Sequence, residues 1–118
     1  MTRVHGSKDC GNSPKNSFVQ DVAVLLEAGP GKPDVLDDDV IWHEAADNLL
    51  EGRDAAQAWL AQQAKPSLIV IEHAIAHGKV GAASGEARFE DGRIRRFSHM
   101  LEFTSVKTNR VAKIKSYT

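Results

Sequence analysis

Apolar residues first recur at helical spacing. Phe18, Val22, Leu25 and Leu26 fall at i, i+4, i+7 and i+8, with Val19 flanking the stripe, which predicts a helix with one buried face. Ser13-Pro14 opens it, a hydroxyl that can cap free N–H groups followed by a proline suited to the first helical position. Ala28-Gly29-Pro30-Gly31 stops it. Pro33 predicts a second, shorter helix through Val35 and Leu36. Gly52-Arg53-Asp54 leads into a third, with Ala56, Trp59, Leu60 and Gln63 on one side and Lys65-Pro66 at its end. Between them, residues 40–44 and 49–51 have the β-branched and aromatic content of short strands. From residue 67 onward the period is that of sheet, in four runs: 67–77, 80–90, 93–105 and 110–117. Gly78-Lys79 and Asp91-Gly92 read as two-residue hairpin loops. Strands this long twist and curl, and Gly81 and Gly85 are the expected bends.

Length and composition narrow the class. The 118 residues, 42% hydrophobic and 26% charged, fit one domain over residues 13–118, preceded by a polar, flexible arm over residues 1–12. Fifteen basic against sixteen acidic side chains leave no surplus for a phosphate backbone, which argues against a nucleic-acid partner. No run approaches the ~20 apolar residues of a membrane span, and the opening residues lack the apolar segment of a secretory signal, so the expected location is cytoplasmic. Cys10, the single cysteine, excludes an intramolecular disulfide framework and a cysteine zinc site, and reads as an incidental thiol. Asp37-Asp38-Asp39 reads as a solvated turn, because successive carboxylates point in different directions; no metal site is expected.

Hairpin register then predicts a site. Two-residue loops set His77 opposite Val80 and Glu90 opposite Arg93, and opposed residues share a face. One face then carries Ile71, His73, Ile75, Ser84, Glu86, Phe97, His99, Leu101 and Phe103. Its bulk marks it as the concave, helix-covered side. Setting Ser105 opposite Arg110 adds Ala112, Ile114 and Ser116, with Ser116 opposite His99. The result is a polar row, His73–Ser84–His99–Ser116, between apolar rows, which is the pattern of a small-molecule pocket. An imidazole with an unperturbed pKa of about 6.5 suits general acid or base work, so His99 and His73 are the candidate catalytic residues. Each can equally be a core histidine satisfied by a neighbouring hydroxyl or carbonyl. Glu86 is the one carboxylate on this face; Arg88 and Arg95, a row further out, are expected at the rim to neutralise it. His73 and His77, four apart on a strand, are too distant to share one ion.

The order of helices and strands, with the phrases "DDDVIWHEAADNLLEGRDAAQAWL", "HAIAHGKVGAASG" and "FSHMLEF…RVAKIKSYT", resembles the NTF2-like superfamily, and within it the small bacterial nuclear transport factor 2 family and the SnoaL-like proteins. The resemblance spans residues 13–118. It implies a cone-shaped α+β fold with a strongly curved antiparallel sheet wrapped around three helices. It also favours Trp42 over His43 as a wall of the pocket. The superfamily hosts isomerases, dehydratases, epoxide hydrolases, cyclases and binders, so fold is a poor guide to chemistry. An Asp-Arg-Asp trio, the epoxide-hydrolase arrangement, is missing from the concave face, and Tyr117, the one tyrosine, is turned away from it, so those two catalytic patterns do not transfer cleanly. The expectation is a pocket for a small hydrophobic molecule, lined by Trp42, Ile71, Ile75, Ser84, Glu86, Phe97, Leu101 and Ser116. Any enzyme built on it would be a cofactor-independent lyase, isomerase or hydrolase using histidine acid/base chemistry. The alternative is a non-catalytic binding or interaction module. The resemblance further implies a homodimer through the outer sheet face, where Ala74, Ala83, Ser98 and Met100 are expected.

Overall fold

The structure, a computed structural model, describes residues 2–11, 13–29, 32–107 and 109–118. Met1 and Asn12 of the expected arm and Pro30-Gly31 of the expected helix stop lie outside them. Helix α1 runs Pro14–Ala28, opened as expected: Ser13 Oγ accepts from Asn16 N–H at 3.2 Å, with Pro14 in the first turn. Gly29, at φ +88°, closes it by donating its N–H to Leu25 O at 2.9 Å. Helix α2 runs Arg53–Gln62 and buries Ala56 and Leu60. The predicted middle helix is only a 3-10 turn over Pro33–Val35, because Leu36 already belongs to a strand. Among the described residues the three expected helices are therefore two.

The strands are β1 (Arg3–His5), β2 (Leu36–Ala45), β3 (Asn48–Glu51), β4 (Leu68–His77), β5 (Val80–Arg88), β6 (Ile94–Phe103) and β7 (Val111–Tyr117). They form one sheet in the order β1-β4-β5-β6-β7-β2-β3. The sheet is mixed rather than antiparallel, since β1 runs parallel to β4 and β2 parallel to β7. The acidic triplet 37–39, expected in a turn, belongs to β2.

The flexible arm is corrected too. Arg3–His5 pair with Leu68–Val70 on the free edge of β4, and Thr2 Oγ1 donates to Pro66 O at 2.6 Å. Further along, Asp9 Oδ2 takes the Ala74 N–H at 3.1 Å and lies 3.0 Å from His73 Nδ1. These hydrogen bonds, that of His73 foremost, hold the Asp9 carboxyl below the usual carboxylate range. The polar composition of residues 1–12 concealed this role, because an edge strand needs backbone groups rather than apolar side chains.

Three registers decide which side chains meet. The first hairpin pairs His77 with Val80 as expected and holds that register to His73–Ser84. There β4 bulges at Glu72, and Ile71 pairs with Gly85 instead of Glu86. Gly85 is required at that point: a Cβ on it would lie 2.0 Å from Val70 O. The second hairpin differs from expectation. Phe89 N–H bonds Arg93 O and Gly92 N–H bonds Phe89 O, so Glu90-Asp91-Gly92 is a three-residue loop with Gly92 at φ +93°. His99 therefore faces Ala83, not Ser84. The third pairing has His99 opposite Ser116, as read from the sequence, until a shift between Glu102 and Phe103 brings in Val111 in place of Ala112.

One extra loop residue reverses β5 relative to β6. The inner face carries Ile71, Ala74, Gly81, Ala83, Gly85, Phe97, His99, Leu101, Phe103 and Ile114, and α1 packs across its β4–β5 half. Removing a Leu, Ile, Val or Phe side chain from water contributes about 1.5–3 kcal/mol each, so this face and the α1 stripe hold the molecule together. The small Ala74, Gly81 and Ala83 let α1 approach closely; a Cβ on Gly81 would meet Val19 of the helix at 2.9 Å.

Candidate functional site

The inner face at β6 and β7 bears a connected set of polar groups. Glu27, on the buried stripe of α1, is 4% exposed, and His99, from β6, is 1% exposed. His99 Nε2 lies 2.7 Å from Glu27 Oε2, and His99 Nδ1 lies 2.7 Å from Ser116 Oγ on β7. Trp42, from β2, donates its indole N–H to the same Ser116 oxygen at 2.8 Å. Arg95 reaches in from the start of β6 and gives Glu27 Oε1 a second hydrogen bond at 2.5 Å. The Phe97 ring stacks on the imidazole, centroids 5.1 Å apart, and fixes its plane.

Proton positions follow from the partners. Burial alone pushes the Glu27 carboxyl up, but the hydrogen bond and charge of His99, then Arg95, outweigh it and hold the group below its ordinary value of 4.5. Glu27 is therefore a carboxylate at neutral pH and can only accept, so Nε2 of His99 carries a proton. The indole N–H can only donate, so Ser116 Oγ accepts it. With a neutral imidazole, Nδ1 is bare and takes the hydroxyl proton of Ser116. With an imidazolium, Nδ1 donates to the second lone pair of Ser116 and frees that proton. Both states keep the three hydrogen bonds of the array, Glu27–His99, His99–Ser116 and Trp42–Ser116.

A cavity of about 20 Å³ opens onto these groups, bounded by Trp42, Trp59, Glu44, Gln63, Arg95 and Thr118 besides Glu27, His99 and Ser116. That is room for about one water molecule. A surface groove of about 510 Å³, with Ala64, Phe89, Arg93 and Ile94 along it, shares Gln63 and Arg95 with the cavity. Gln63 and Arg95 stand between the groove and the cavity. Among the described residues, Arg95 Nε is the one buried side-chain nitrogen or oxygen that meets no hydrogen-bond partner.

The sequence-derived candidates divide. Trp42, His99 and Ser116 line the cavity. Ile71, Phe97 and Leu101 point inward as core. His73, Ile75, Ser84 and Glu86 lie on the outer face, the consequence of the three-residue loop. The His73 side chain is 72% exposed and engaged with Asp9, far from His99's side of the sheet. Glu86 pairs outside with Arg88 at 3.0 Å and Arg96 at 3.7 Å, while Arg95 turns inward to Glu27. Glu27 escaped the sequence reading. Its signal was present: it stands four residues after Ala23 and eight after Val19, a carboxylate on an apolar stripe.

No family model and no curated protein matches the chain. Solved structures do. An NTF2-like protein of unknown function from Burkholderia xenovorans LB400 superposes with a TM-score of 0.66 at 21% identity, covering 86% of this chain and 77% of that one. One from Cytophaga hutchinsonii ATCC 33406 gives 0.67 at 12% identity, covering 87% and 97%. A protein from Jannaschia sp. CCS1 named for SnoaL-like polyketide cyclases gives 0.63 at 16% identity, covering 89% and 88%. At these identities the likeness speaks for architecture alone, and it agrees with the two helices packed on a mixed, seven-stranded sheet: the chain has the NTF2-like fold.

Proposed function

We propose that this protein binds a small, largely apolar molecule in the groove beside Phe89 and carries out proton transfer on it at His99, without a cofactor. One observation carries the reading: an ionised Glu27, buried with His99, in an array that ends at a hydroxyl facing a cavity. A buried ion pair is a poor way to gain stability, since desolvation offsets most of its attraction. An apolar pair would fill the same space, and the charged one supplies an oriented imidazole with a fixed tautomer. The apolar part of the ligand would lie along Phe89, Ala64 and Ile94, with its polar end past Arg95. Entry requires Trp59 and Gln63 to give way, and Gln63 holds Trp59 only through a 3.1 Å bond to its carbonyl.

Both tryptophans of the chain line the cavity, so intrinsic fluorescence reports on it directly. A panel of small apolar acids, lactones, esters and epoxides should contain compounds that change the emission and raise the melting temperature. Turnover of a bound compound should fall by about a hundredfold or more in His99→Gln. Unchanged emission across the panel would exclude the site, and binding with full turnover in His99→Gln would exclude the role of His99.

The outer face favours a second reading, in which the fold also serves as an interaction module. Ile75, Val80 and Met100 lie exposed across β4, β5 and β6; Ile41 and Leu49 are exposed on β2 and β3, beyond Lys113 and Lys115 of the intervening β7. Ala74 and Ala83, expected there from the sequence, are buried on the inner face; Ile75 and Ala82 take their places. A second copy meeting this surface would bury it as a homodimer.

A further inference from the structure

We infer that Ser116 is a nucleophile, and that the chemistry of the cavity is acyl transfer: hydrolysis of a small ester or lactone through an acyl-serine. The inference rests on the pocket reading above and adds to it the reacting atom. Nucleophilic serine needs a hydroxyl hydrogen-bonded to a base, a base held by a third group, space at the hydroxyl, and a donor for the developing oxyanion. Ser116 Oγ is 2.7 Å from His99 Nδ1, and His99 Nε2 is 2.7 Å from Glu27 Oε2. Ser116 and Arg95 both line the cavity of about 20 Å³, which takes an ester carbonyl only once Trp59 and Gln63 give way, and the buried Arg95 Nε–H has no partner among the described residues. These are the roles of a serine–histidine–carboxylate triad, with the two imidazole nitrogens exchanged relative to the usual arrangement. The exchange does not alter the proton balance, because each imidazole nitrogen can lose or gain the proton.

The steps are as follows. Ser116 Oγ bonds to the carbonyl carbon as its proton passes to His99 Nδ1, and Glu27 stabilises the imidazolium through Nε2. The carbonyl oxygen becomes an oxyanion facing Arg95. Collapse breaks the bond from carbon to the alkoxy oxygen, which leaves as an alcohol with the proton from Nδ1. Water then attacks the acyl-serine, gives a proton to Nδ1 and releases the acid, and the proton returns to Ser116. In a lactone the alcohol and acid remain one molecule. His99 and Ser116 are the catalytic residues, and Glu27 is a positioning residue. The Trp42 indole, donating to Ser116 Oγ, occupies one lone pair and leaves the other for attack.

The test uses diisopropyl fluorophosphate, a small serine-directed reagent whose phosphorus bonds to the activated oxygen with loss of fluoride. Treated protein is mapped by peptide mass spectrometry, and 4-nitrophenyl acetate is assayed for a burst of nitrophenolate. The expected result is a single adduct on Ser116, a burst proportional to protein, and labelling slowed about a hundredfold or more in His99→Gln and Glu27→Gln. Because the adduct is located in the unaltered protein, the result does not depend on whether Ser116→Ala folds. No adduct, or an adduct only elsewhere, such as on Tyr117, overturns the inference. Tryptophan fluorescence on the same panel separates the two failures: emission changes without an adduct leave the pocket and remove the nucleophile, whereas silence in both removes the pocket itself.

Discussion

A carboxylate on the buried stripe of a helix is tolerated only because of what surrounds it. Glu27 has His99 and Arg95 on its two oxygens, and its replacement by leucine would strand both partners. We expect Glu27→Leu to lose about 3–5 kcal/mol in urea unfolding. Glu27→Gln, which keeps the shape and one acceptor, should lose less. The pH dependence has a definite sign. The folded carboxyl titrates below 4.5 and the unfolded one at that value, so the unfolded chain takes up the proton first as pH falls. The contribution of Glu27 is fully present above 4.5 and disappears as pH drops through the folded value. The stability gap between wild type and Glu27→Gln should therefore hold from neutrality down to pH 4.5 and narrow as pH falls further. A gap that stays constant below pH 4.5 would mean the carboxylate is not held by its partners.

Glycine gives a second residue-scale contrast. A Cβ at Gly85 would meet Val70 backbone at 2.0 Å, while one at Gly81 would meet the side chains of Phe103 at 2.8 Å and Val19 at 2.9 Å. Backbone pinned in a sheet cannot retreat, whereas a ring edge and a methyl can. Thermal melts should show Gly85→Ala losing about 3 kcal/mol or more and Gly81→Ala about 1–3 kcal/mol. Equal losses would contradict the picture of Gly85 as the partner of the bulge.

At the scale of elements, loop length governs which residues meet. The turn Glu90-Asp91-Gly92 sets every pair between β5 and β6. Deleting Asp91 would leave a two-residue loop and force either β6 outside-in or a new bulge. Since Phe97, His99, Leu101 and Phe103 would then face solvent, the expected outcome is loss of the cooperative melt rather than a rearranged site, measured by circular dichroism. The same turn explains what could be read in advance. The helix start at Ser13-Pro14, the strands β3 to β7 and the inward set on β6 follow from periodicity and turn chemistry, and so does Ser116 opposite His99; β1 and the first half of β2 do not. His73, Ile75, Ser84 and Glu86 were misplaced because an Asp-Gly pair marks a turn but does not count its residues. Glu27 was invisible to register arguments, since no strand pairing connects α1 to the sheet. Helix-to-sheet contacts depend on packing, and periodicity alone cannot say which histidine a helical carboxylate will reach.

The whole molecule divides its two faces by purpose. The inner one is covered by α1 over β4 and β5 and by α2 over β2 and β3, with the small polar cavity near β6 and β7. On the outer one, among the described residues, no helix packs, and Ile75, Val80 and Met100 stay in solvent. If a second copy covers it, Met100→Asp should convert a dimer to a monomer in size-exclusion chromatography with light scattering, without lowering the melting temperature of the monomer. An unchanged mass in that variant would rule the face out as the interface.

The position of β7 also has a consequence in time. It is the seventh strand in the chain but lies between β6 and β2, so the hairpin of β2 and β3 joins the rest of the sheet only through it. During synthesis β2 leaves the ribosome about seventy residues before its parallel partner, and until then its hydrogen-bonding edge waits open. Ser116 arrives with that last strand, completing the polar array in the same event that closes the sheet. A nascent chain held before residue 111 would be an aggregation risk with no cavity, and chaperone demand should peak there.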